Sequence, residues 1–341
     1  MSLDAGRLYG LAWRVAPRLP GAFVRGLCNV GADAAWLLHG TGVRRLEVNL
    51  ARVRPELSRG DVRRLSRAGM RSYVRYFGET FTLGSLTEAQ IDARVRATGL
   101  EALRVHTDAG RTALLALGHM GNWDLAGAWA TRHIAPVTTV AERLEPEEVF
   151  QDFLRLREGL GLRILALGDG DVFRDLVRVA RSGPGLLPLL ADRDLTARGV
   201  EVDLFGHRAR VAAGPAALAV STGAPLFATA ITYERLHGAR RRAAGSPWGI
   251  RIDFIPVPEV ADDVPRADRV RAITQAWLDV LAEAIHARPQ DWHMLQRVFV
   301  DDLDRARDAA LRAAATAEAP AEAPADATVD ATVGDEDVRG A

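Results

Sequence analysis

From residue 112 onward, short apolar runs alternate with stretches of helical length, and this alternation constrains the fold more than any other feature of the sequence. The runs with the length and composition of buried strands are 112–118, 137–142, 162–168, 185–191, 225–234 and 249–259. A long helix is predicted after the last run, from about residue 266 to 288. Strands that alternate with helices at this spacing predict an α/β fold, with a mostly parallel central sheet flanked by helices. Pro188 lies inside the fourth run, a position typical of a sheet edge or a bulge.

Residues 1 to about 75 have a different pattern, which predicts an N-terminal amphipathic helical region. Apolar residues recur among arginines at Leu8, Leu11, Trp13, Val15, Leu19, Phe23 and Leu27. A basic amphipathic helix that contains tryptophan can lie in a membrane interface, so residues 8–36 are a hypothetical membrane-docking segment. The alternative is a helix that packs on the core and exposes its arginines to water, and the periodicity alone favours this alternative.

Residues 211–233 carry no charged side chain and are long enough to span a membrane. Glycine and proline interrupt this segment twice, so it predicts a short helix, a turn and a buried strand. No secretory signal is expected at the N-terminus. Residues 311–341 are rich in alanine, proline and acidic residues, which predicts a disordered tail behind one folded domain over residues 1–310.

The charge balance gives no general electrostatic affinity for nucleic acid, because the 44 basic and 44 acidic residues cancel. The chain contains no lysine, so every basic residue is an arginine, which binds phosphate through paired hydrogen bonds. A single cysteine, Cys28, excludes an internal disulfide framework and is typical of a core residue in a reducing compartment. The histidines show no metal-ligand spacing, so we expect neither a metal nor a cofactor.

The segment GHMGNWDLAGAWA, residues 118–130, places His119 and Asp124 five positions apart in otherwise apolar sequence. Within one continuous helix these side chains point about 140° apart and cannot pair. They can pair if His119 ends the first strand and Asp124 lies in the first turn of the next helix, with Gly121 and Asn122 supplying turn and capping chemistry. The prediction is that Asp124 accepts the Nδ1–H of His119 and leaves Nε2 as a general base. On spacing alone, purely structural roles for both residues are favoured.

Charged side chains also follow other predicted strands. They are Glu142 and Arg143 after the second strand, and Asp192, Arg193 and Asp194 after the fourth. An active site or an ion-pair network at this edge of the sheet would explain them. The sequence has no G-x-S-x-G elbow, and a base without a protein nucleophile fits activation of a substrate hydroxyl that attacks an activated carbonyl. The backbone N–H groups of Gly121 and Asn122 are a candidate oxyanion site.

The segment GHMGNWDLAG has the H-x4-D form of the glycerolipid and lysophospholipid acyltransferase superfamily. The flanking sequences resemble the branch that contains the lipid A lauroyl and myristoyl acyltransferases: VAERLEPEEVFQDFLRLREGLG, LADRDLTARGVEVDLFGHRARVAAGPAALAVSTGAPL and DWHML. Within that branch the chain is similar to the actinobacterial phosphatidylinositol mannoside acyltransferases over about residues 5–305. H-x4-D alone is a weak pattern, but its combination with D-R-D-L-T-x-x-G-V-x-V-D-x-F-G is specific.

The resemblance implies acyl transfer from a thioester, usually acyl-CoA, to a hydroxyl of a membrane glycolipid without a covalent acyl-enzyme. It implies that His119 is the general base and that Asp124 orients it. The residues implied to line the cleft or bind substrate are Glu142, Arg157, Asp192, Arg193 and Arg210. Family members often carry glutamate at the position of Asp192, and for Arg157 a solvated helix position remains equally open. The F-P-E-G block of glycerol-phosphate acyltransferases is absent, so glycerol 3-phosphate is not the expected acceptor.

The predicted function is therefore an acyl-CoA-dependent O-acyltransferase that modifies a mannose hydroxyl of a phosphatidylinositol mannoside. The alternatives are acylation of another glycolipid or of a lysophospholipid, and a non-catalytic lipid-binding protein in which the His119–Asp124 pair is structural. The expected partners are acyl-CoA as co-substrate, the glycolipid acceptor and an anionic membrane surface, with no nucleic acid. The expected location is peripheral, at the cytoplasmic face of the cell membrane. The arginine cluster at 240–242 is predicted to be a solvated face rather than a phosphate site.

Overall fold

The computed structural model describes residues 10, 12–143, 147–167, 171–194 and 199–303. The predicted tail at 311–341 lies outside the described residues, as do Leu8 and Leu11 of the N-terminal segment. The predicted domain boundary near residue 310 therefore stays a prediction.

Helices and strands alternate along most of the described chain. The helices are α1 (Gly21–Leu38), α2 (Thr41–Val53), α3 (Arg59–Leu83), α4 (Glu88–Arg94), α5 (Leu100–Thr107), α6 (Trp123–His133), α7 (Glu147–Gly159), α8 (Val172–Ala180), α9 (Gly214–Thr222), α10 (Gly238–Ala244) and α11 (Arg269–Ala287). The strands are β1 (Val95–Thr98), β2 (Thr112–Leu117), β3 (Thr138–Ala141), β4 (Arg163–Ala166), β5 (Gly185–Leu190), β6 (Val200–Leu204), β7 (His207–Val211), β8 (Leu226–Arg235) and β9 (Trp248–Pro256).

The central sheet has five strands in the order β1-β9-β8-β2-β5. The pairs β1–β9, β8–β2 and β2–β5 are parallel, and only β8–β9 is antiparallel. The predicted mostly parallel sheet flanked by helices is confirmed. Leu117 at the end of β2 pairs with Leu190 at the end of β5, so the chain leaves both strands at the same edge of the sheet.

Every residue of β2 is buried, because helices cover both faces of the sheet. Leu115 and Leu117 belong to the core that includes Leu125 of α6. Ala116 belongs to the core on the opposite face, which includes Trp277 of α11. Burial on both faces explains why the sequence of this strand is continuously apolar instead of alternating.

The short strands β3 and β4 pair in parallel beyond β5, and an isolated bridge between Val137 and Leu186 joins them to the sheet. The hydroxyl of Thr139 donates a hydrogen bond of 2.6 Å to the carbonyl of Pro188. Pro188 therefore lacks an N–H on the side that faces β3, where β5 has few backbone hydrogen bonds. The pairing of β5 with β2 on the other side is intact, as expected for a proline near a sheet edge.

An antiparallel hairpin, β6–β7, was not predicted. The alternation of Val200, Val202 and Leu204 with acidic residues was a strand signal, and the turn at Phe205-Gly206 has positive φ at both residues. The hairpin packs on α11, because Val202 and Leu204 are buried in the same core as Trp277.

The helical prediction for the N-terminal region is confirmed in the described residues, and α3 extends it to Leu83. On its inner face α1 packs on the helical core through Ala32, and the Trp36 indole donates to Ser66 of α3 at 3.0 Å. Its outer face is apolar and exposed, with Phe23 and Leu27 each 54% exposed. The outer face of α1 is therefore apolar and is not the face of solvated arginines that the alternative predicted.

Within the described residues, no helix combines the length and the hydropathy needed to cross a bilayer. The uncharged segment 211–233 instead contains α9, a turn and the greater part of β8, as predicted.

Candidate active site

The edge of the sheet at the carboxyl ends of β2 and β5 brings His119 and Asp192 together. Each residue follows the last residue of its strand by two positions, and those last residues, Leu117 and Leu190, are paired partners. The backbone N–H of Ala191 donates to the carbonyl of Leu117 at 2.8 Å and continues the pairing past the strand ends. The register of the parallel strands β2 and β5 therefore places these two side chains next to each other.

His119 and Asp192 form a hydrogen-bonded pair. The distance from His119 Nδ1 to Asp192 Oδ1 is 2.5 Å, and the backbone N–H of His119 donates to Asp192 Oδ2 at 2.9 Å. The indole N–H of Trp292 also donates to Asp192 Oδ2, at 2.8 Å. Burial opposes ionisation of Asp192, but the charge of His119 and these three hydrogen bonds outweigh it and lower the pKa of the carboxyl. This geometry holds the imidazole by Nδ1 and leaves Nε2 for proton transfer.

The predicted hydrogen bond between Asp124 and His119 is wrong. Asp124 Oδ1 accepts from Arg157 Nε at 2.8 Å, and Asp124 Oδ2 accepts from the Tyr76 hydroxyl at 2.8 Å. Asp124 lies in the first turn of α6, where α3 and α7 bring these two donors to its oxygens, whereas the strand register brings Asp192 to His119. The side chain of Asp124 is 2% exposed, so it forms a buried ion pair with Arg157.

The buried charge of Asp124 shifts the pKa values of Arg157 and Tyr76. Burial lowers the pKa of Arg157, but the adjacent Asp124 carboxylate outweighs burial and raises the pKa above the ordinary arginine value. Burial, followed by the charge of Asp124, raises the pKa of Tyr76 well above its ordinary value. Arg157 therefore stays protonated and is not the solvated helix arginine that the sequence left open.

In the turn between β2 and α6, the N–H of Gly121 is already hydrogen-bonded and does not serve the predicted oxyanion site. The N–H of Gly121 donates to the carbonyl of Asp291 at 3.1 Å, and a Cβ at Gly121 would lie 2.5 Å from the carbonyl oxygen of Ile231. Asn122 is fully buried and caps α6 by accepting a hydrogen bond from the N–H of Leu125 at 3.0 Å. The backbone of this turn is used to hold the turn against the sheet.

His119 lines a groove that we call the active-site groove. Its other lining residues include Tyr73, Tyr76, Phe77, Trp123, Glu142, Phe150, Phe153, Arg157, Leu190, Arg193 and His293. Glu142, Arg157 and Arg193 thus lie where the sequence predicted, in one cleft with His119. Arg210 does not, because it is buried in β7, 3.4 Å from Glu201, outside the residues that line the groove.

A second, mostly apolar pocket lies between the sheet and α6. It shares Trp123, Val140, Arg157 and Leu190 with the active-site groove. The rest of its lining is mainly aliphatic and includes Leu115, Leu117, Ala126, Ala130, Val137 and Leu162, together with Asp124. An apolar pocket beside a polar groove suits a ligand with a hydrocarbon chain and a polar end.

From the sequence alone, Trp292 and His293 are expected to pack the closing helix and to have no chemical role, but both residues belong to the site. The backbone N–H of His293 donates to the carbonyl of His119 at 2.7 Å, and His293 Nε2 lies 3.0 Å from the hydroxyl of Ser72. Burial, then the charges of Arg75 and His119, lower the pKa of His293 to about 3, so this imidazole is neutral. The signal was the acidic residue Asp291 directly before two large rings.

Within the described chain, no group of three or more His, Cys, Asp or Glu side chains is arranged to hold a metal ion. The hydrogen-bonded pair of His119 and Asp192 offers acid–base chemistry in the groove. Among the described residues that line the groove, none is a serine or a cysteine.

Residues 6–300 match the family model described as bacterial lipid A biosynthesis acyltransferase. Phosphatidylinositol mannoside acyltransferases from Mycolicibacterium smegmatis and Mycobacterium tuberculosis are each 39% identical to the chain over 308 residues. These alignments cover 89% of this chain and 94% and 91% of the two relatives. A solved 1-acyl-sn-glycerophosphate acyltransferase from Thermotoga maritima is 13% identical, with a TM-score of 0.35 over 65% of this chain and 88% of that chain.

Proposed function

The chain belongs to the bacterial lipid A biosynthesis acyltransferase family and is an O-acyltransferase for a glycolipid, and on that premise we propose its donor, its acceptor and its mechanism. It transfers a long fatty acyl chain from acyl-CoA to a mannose hydroxyl of a phosphatidylinositol mannoside. The acceptor is supported by the names of the relatives with 39% identity. The family supports an acyl donor, and acyl-CoA is the thioester that we assign to that role.

The His119–Asp192 hydrogen bond of 2.5 Å is the observation that carries the mechanism. Nε2 of His119 removes the proton of the acceptor hydroxyl while the oxygen attacks the thioester carbonyl carbon. The buried carboxylate of Asp192 stabilises the imidazolium that forms. The tetrahedral intermediate then collapses, the carbon–sulfur bond breaks, and the imidazolium returns the proton to the CoA thiolate.

The two neighbouring cavities, which share four lining residues, divide the substrate by polarity. The apolar pocket lined by Leu115, Ala126 and Ala130 takes the acyl chain, because aliphatic walls exclude water from a hydrocarbon. The active-site groove takes the mannose, where Glu142 supplies hydrogen-bond acceptors and Arg193 a charged donor. The thioester carbonyl then lies between the pocket and His119.

Membrane docking by α1 is the proposed route to the glycolipid. The exposed side of this helix carries Phe23, Leu27, Val30, Leu37 and Leu38, which are 54–83% exposed. An exposed apolar helix face of this kind is stabilised by insertion into the boundary between head groups and acyl chains. Because acyl-CoA is a cytoplasmic metabolite, the proposed donor assigns this peripheral contact to the cytoplasmic face.

Release of free CoA thiol from palmitoyl-CoA, with and without mannosylated phosphatidylinositol, tests the proposal. We expect release that depends on the acceptor and is lost in His119→Ala. The matched control is His133→Ala, since His133 also bonds an aspartate, Asp92 at 2.6 Å, but on the surface outside the active-site groove. Release only with another glycolipid or with a lysophospholipid would overturn the acceptor, and no release with any acceptor from folded protein would favour a lipid-binding protein.

A further inference from the structure

A second polar cavity lies on the far side of α3 from the active-site groove. The α3 residues that line the groove are Tyr73, Tyr76 and Phe77. Those that line the second cavity include Arg75, Gly78 and Thr82. Because an α-helix has 3.6 residues per turn, these two sets lie on opposite sides of α3. The second cavity is closed by α1, α4 and the segment 245–248, and it is separate from the catalytic chemistry.

Four arginines line this cavity, which we call the arginine cavity: Arg25, Arg75, Arg94 and Arg235. In the described part of the chain, none of them has a carboxylate within ion-pair distance. The guanidinium carbon of Arg75 lies 3.7 Å from the ring centroid of Trp248, and that of Arg235 lies 4.5 Å from the same ring. Trp248 therefore holds two of the four cations in place while leaving their N–H donors free for a ligand.

Among the described residues that line the arginine cavity, Glu79 alone carries a carboxyl group. It accepts hydrogen bonds from Asn122 at 2.9 Å and Tyr233 at 3.2 Å, which commits one of its oxygens to the protein. Burial raises the pKa of Glu79 despite these bonds and the charges of Arg75 and Arg94, so the carboxyl is a weak counter-charge. Even when ionised, it leaves an excess of three positive charges.

This excess is unfavourable without an anion. Arg94 is 8% exposed, and its Nε donates to the carbonyl of Ala244 at 3.0 Å. Burial lowers the pKa of Arg94; the charge of Glu79 opposes this and the charge of Arg25 adds to it, so the net effect is a destabilised charged form. A buried unpaired charge is stabilised when an opposite charge enters and makes hydrogen bonds. Guanidinium groups bind the oxygens of phosphate in pairs, and several guanidiniums around one cavity suit the tetrahedral anion more than a planar carboxylate.

We infer that the arginine cavity binds a phosphate group, at a site distinct from the active-site groove. The cavity has a volume of about 300 Å³, which is ample for a phosphate and the group that carries it. Arg25 and Arg235 approach from α1 and β8, and Arg75 and Arg94 approach from α3 and α4. The carrier is either a free phosphate compound or the head group of a phospholipid.

Cys28 allows a direct test in the unmodified full-length protein. It is the only cysteine of the chain, and its side chain lines the arginine cavity. Alkylation of native protein by uncharged iodoacetamide, followed by intact mass, reports access to the cavity without any assay of acyl transfer. The probes are inorganic phosphate and dihexanoyl phosphatidic acid, with sodium chloride at the same ionic strength as the control.

If phosphate occupies the cavity, alkylation slows with saturation, and at ten times the Kd the rate falls about tenfold, in proportion to the unoccupied fraction. Arg25→Gln and Arg235→Gln each raise the probe concentration needed for half-maximal protection by about tenfold or more, because each variant loses a charged hydrogen bond to the ligand. The matched control Arg174→Gln, at a side chain that is 76% exposed on α8, leaves protection unchanged. Circular dichroism checks that each variant is folded.

Protection by both probes at similar concentrations identifies a free phosphate as sufficient, and protection by the lipid alone identifies a head group. Either result supports the inference. Alkylation that neither probe slows in wild-type protein overturns it, as does protection that is equal in wild type, Arg25→Gln and Arg235→Gln.

Discussion

Two buried aspartates near the active-site groove have different partners, and these partners separate their roles. Asp192 accepts hydrogen bonds from the ring and the backbone of His119 and from Trp292. Asp124 accepts from Arg157 and Tyr76. Because only Asp192 touches the imidazole, orientation of His119 belongs to Asp192, and Asp124 stabilises the packing of α6 against α3 and α7.

We predict that Asp192→Asn lowers kcat by about 10⁴-fold, because an amide neither stabilises the imidazolium nor selects its tautomer. The KM for the acceptor is expected to stay near the wild-type value, since Asp192 is fully buried and its oxygens are bonded to His119 and Trp292. Steady-state CoA release measures both constants, with Asp175→Asn, at a half-buried aspartate of α8 outside the active-site groove, as control. The assignment is wrong if Asp192→Asn stays active while folded Asp124→Asn does not.

Arg157→Met is predicted to destabilise the protein by about 3–5 kcal/mol, because it leaves Asp124 as a buried charge without its partner. Urea unfolding at pH 7 measures this loss. Arg155→Met is the matched control on the same helix, where Arg155 is 67% exposed and pairs with Asp152. The double variant Asp124→Asn with Arg157→Met should recover part of the loss, and a single variant as stable as Arg155→Met would contradict the prediction.

At the scale of elements, the opposite faces of α1 and of α3 differ in what they contact. The inner face of α1 packs through Val24 and Ala32, whereas its outer face is apolar and exposed. α3 carries the active-site groove on one side and the arginine cavity on the other. A single helix can therefore support two separate sites, because its side chains divide between opposite faces.

Replacing the exposed apolar side chains of α1, as Phe23→Ser, Leu27→Ser and Val30→Ser together, is predicted to reduce binding to liposomes. The three side chains contribute little to the folded core, so the thermal unfolding midpoint changes little. Flotation with vesicles that contain phosphatidylinositol measures binding. Val105→Ser, at a side chain that is 67% exposed on α5, is the control, and unchanged flotation of the triple variant would reject docking by α1.

The turn before α6 is predicted to tolerate no side chain at Gly121. Its φ is +58°, and a Cβ would lie 2.5 Å from the carbonyl oxygen of Ile231. Gly110 has φ of +76° with no atom within 4 Å of its Cβ position, so Gly110→Ala measures the backbone strain alone, about 1–2 kcal/mol. Gly121→Ala should lose clearly more than this in urea unfolding, and equal losses would show that the close approach is absent.

At the scale of the whole molecule, the site joins segments that are far apart in the chain. His119 follows β2, Asp192 follows β5, and Trp292 follows α11. Their hydrogen bonds close the edge of the sheet under the active-site groove. His293 is the next residue in the chain, and its backbone N–H donates to the carbonyl of His119. Its lowered pKa keeps the imidazole neutral, so the stability of the protein in acid depends on a residue of the site.

The free energy of unfolding is predicted to fall as the pH is lowered from about 6.5, partly because of His293. Burial first, then Arg75 and His119, lower its pKa from 6.5 to about 3, so between these values the folded protein binds fewer protons than the unfolded chain. His293→Gln should reduce the slope of unfolding free energy against pH by up to about 1.4 kcal/mol per pH unit between pH 6 and 4. Urea unfolding of both proteins across that range measures the difference, and parallel curves would contradict it.

Local pattern was sufficient for much of the fold. The continuous apolar runs predicted β2, β5 and β8 because strands covered on both faces need apolar residues at every position. The glycines and prolines in 211–233 indicated α9, a turn and β8 for the same local reason. The hairpin β6–β7 was missed although its alternation was visible, and the antiparallel pairing of β8 with β9 depends on contacts between distant segments.

The sequence by itself determined that His119 closely follows a buried strand and that a helix starts after Asn122, because caps, turns and periodicity act over a few residues. Only the tertiary structure decided which carboxylate meets the histidine. Asp124 is near His119 in the chain, but β5 lies beside β2 in register, and this pairing brings Asp192 from 73 positions away to within 2.5 Å. Strand order and register are set by burial across the whole core, so spacing along the chain could not reveal the partner of His119.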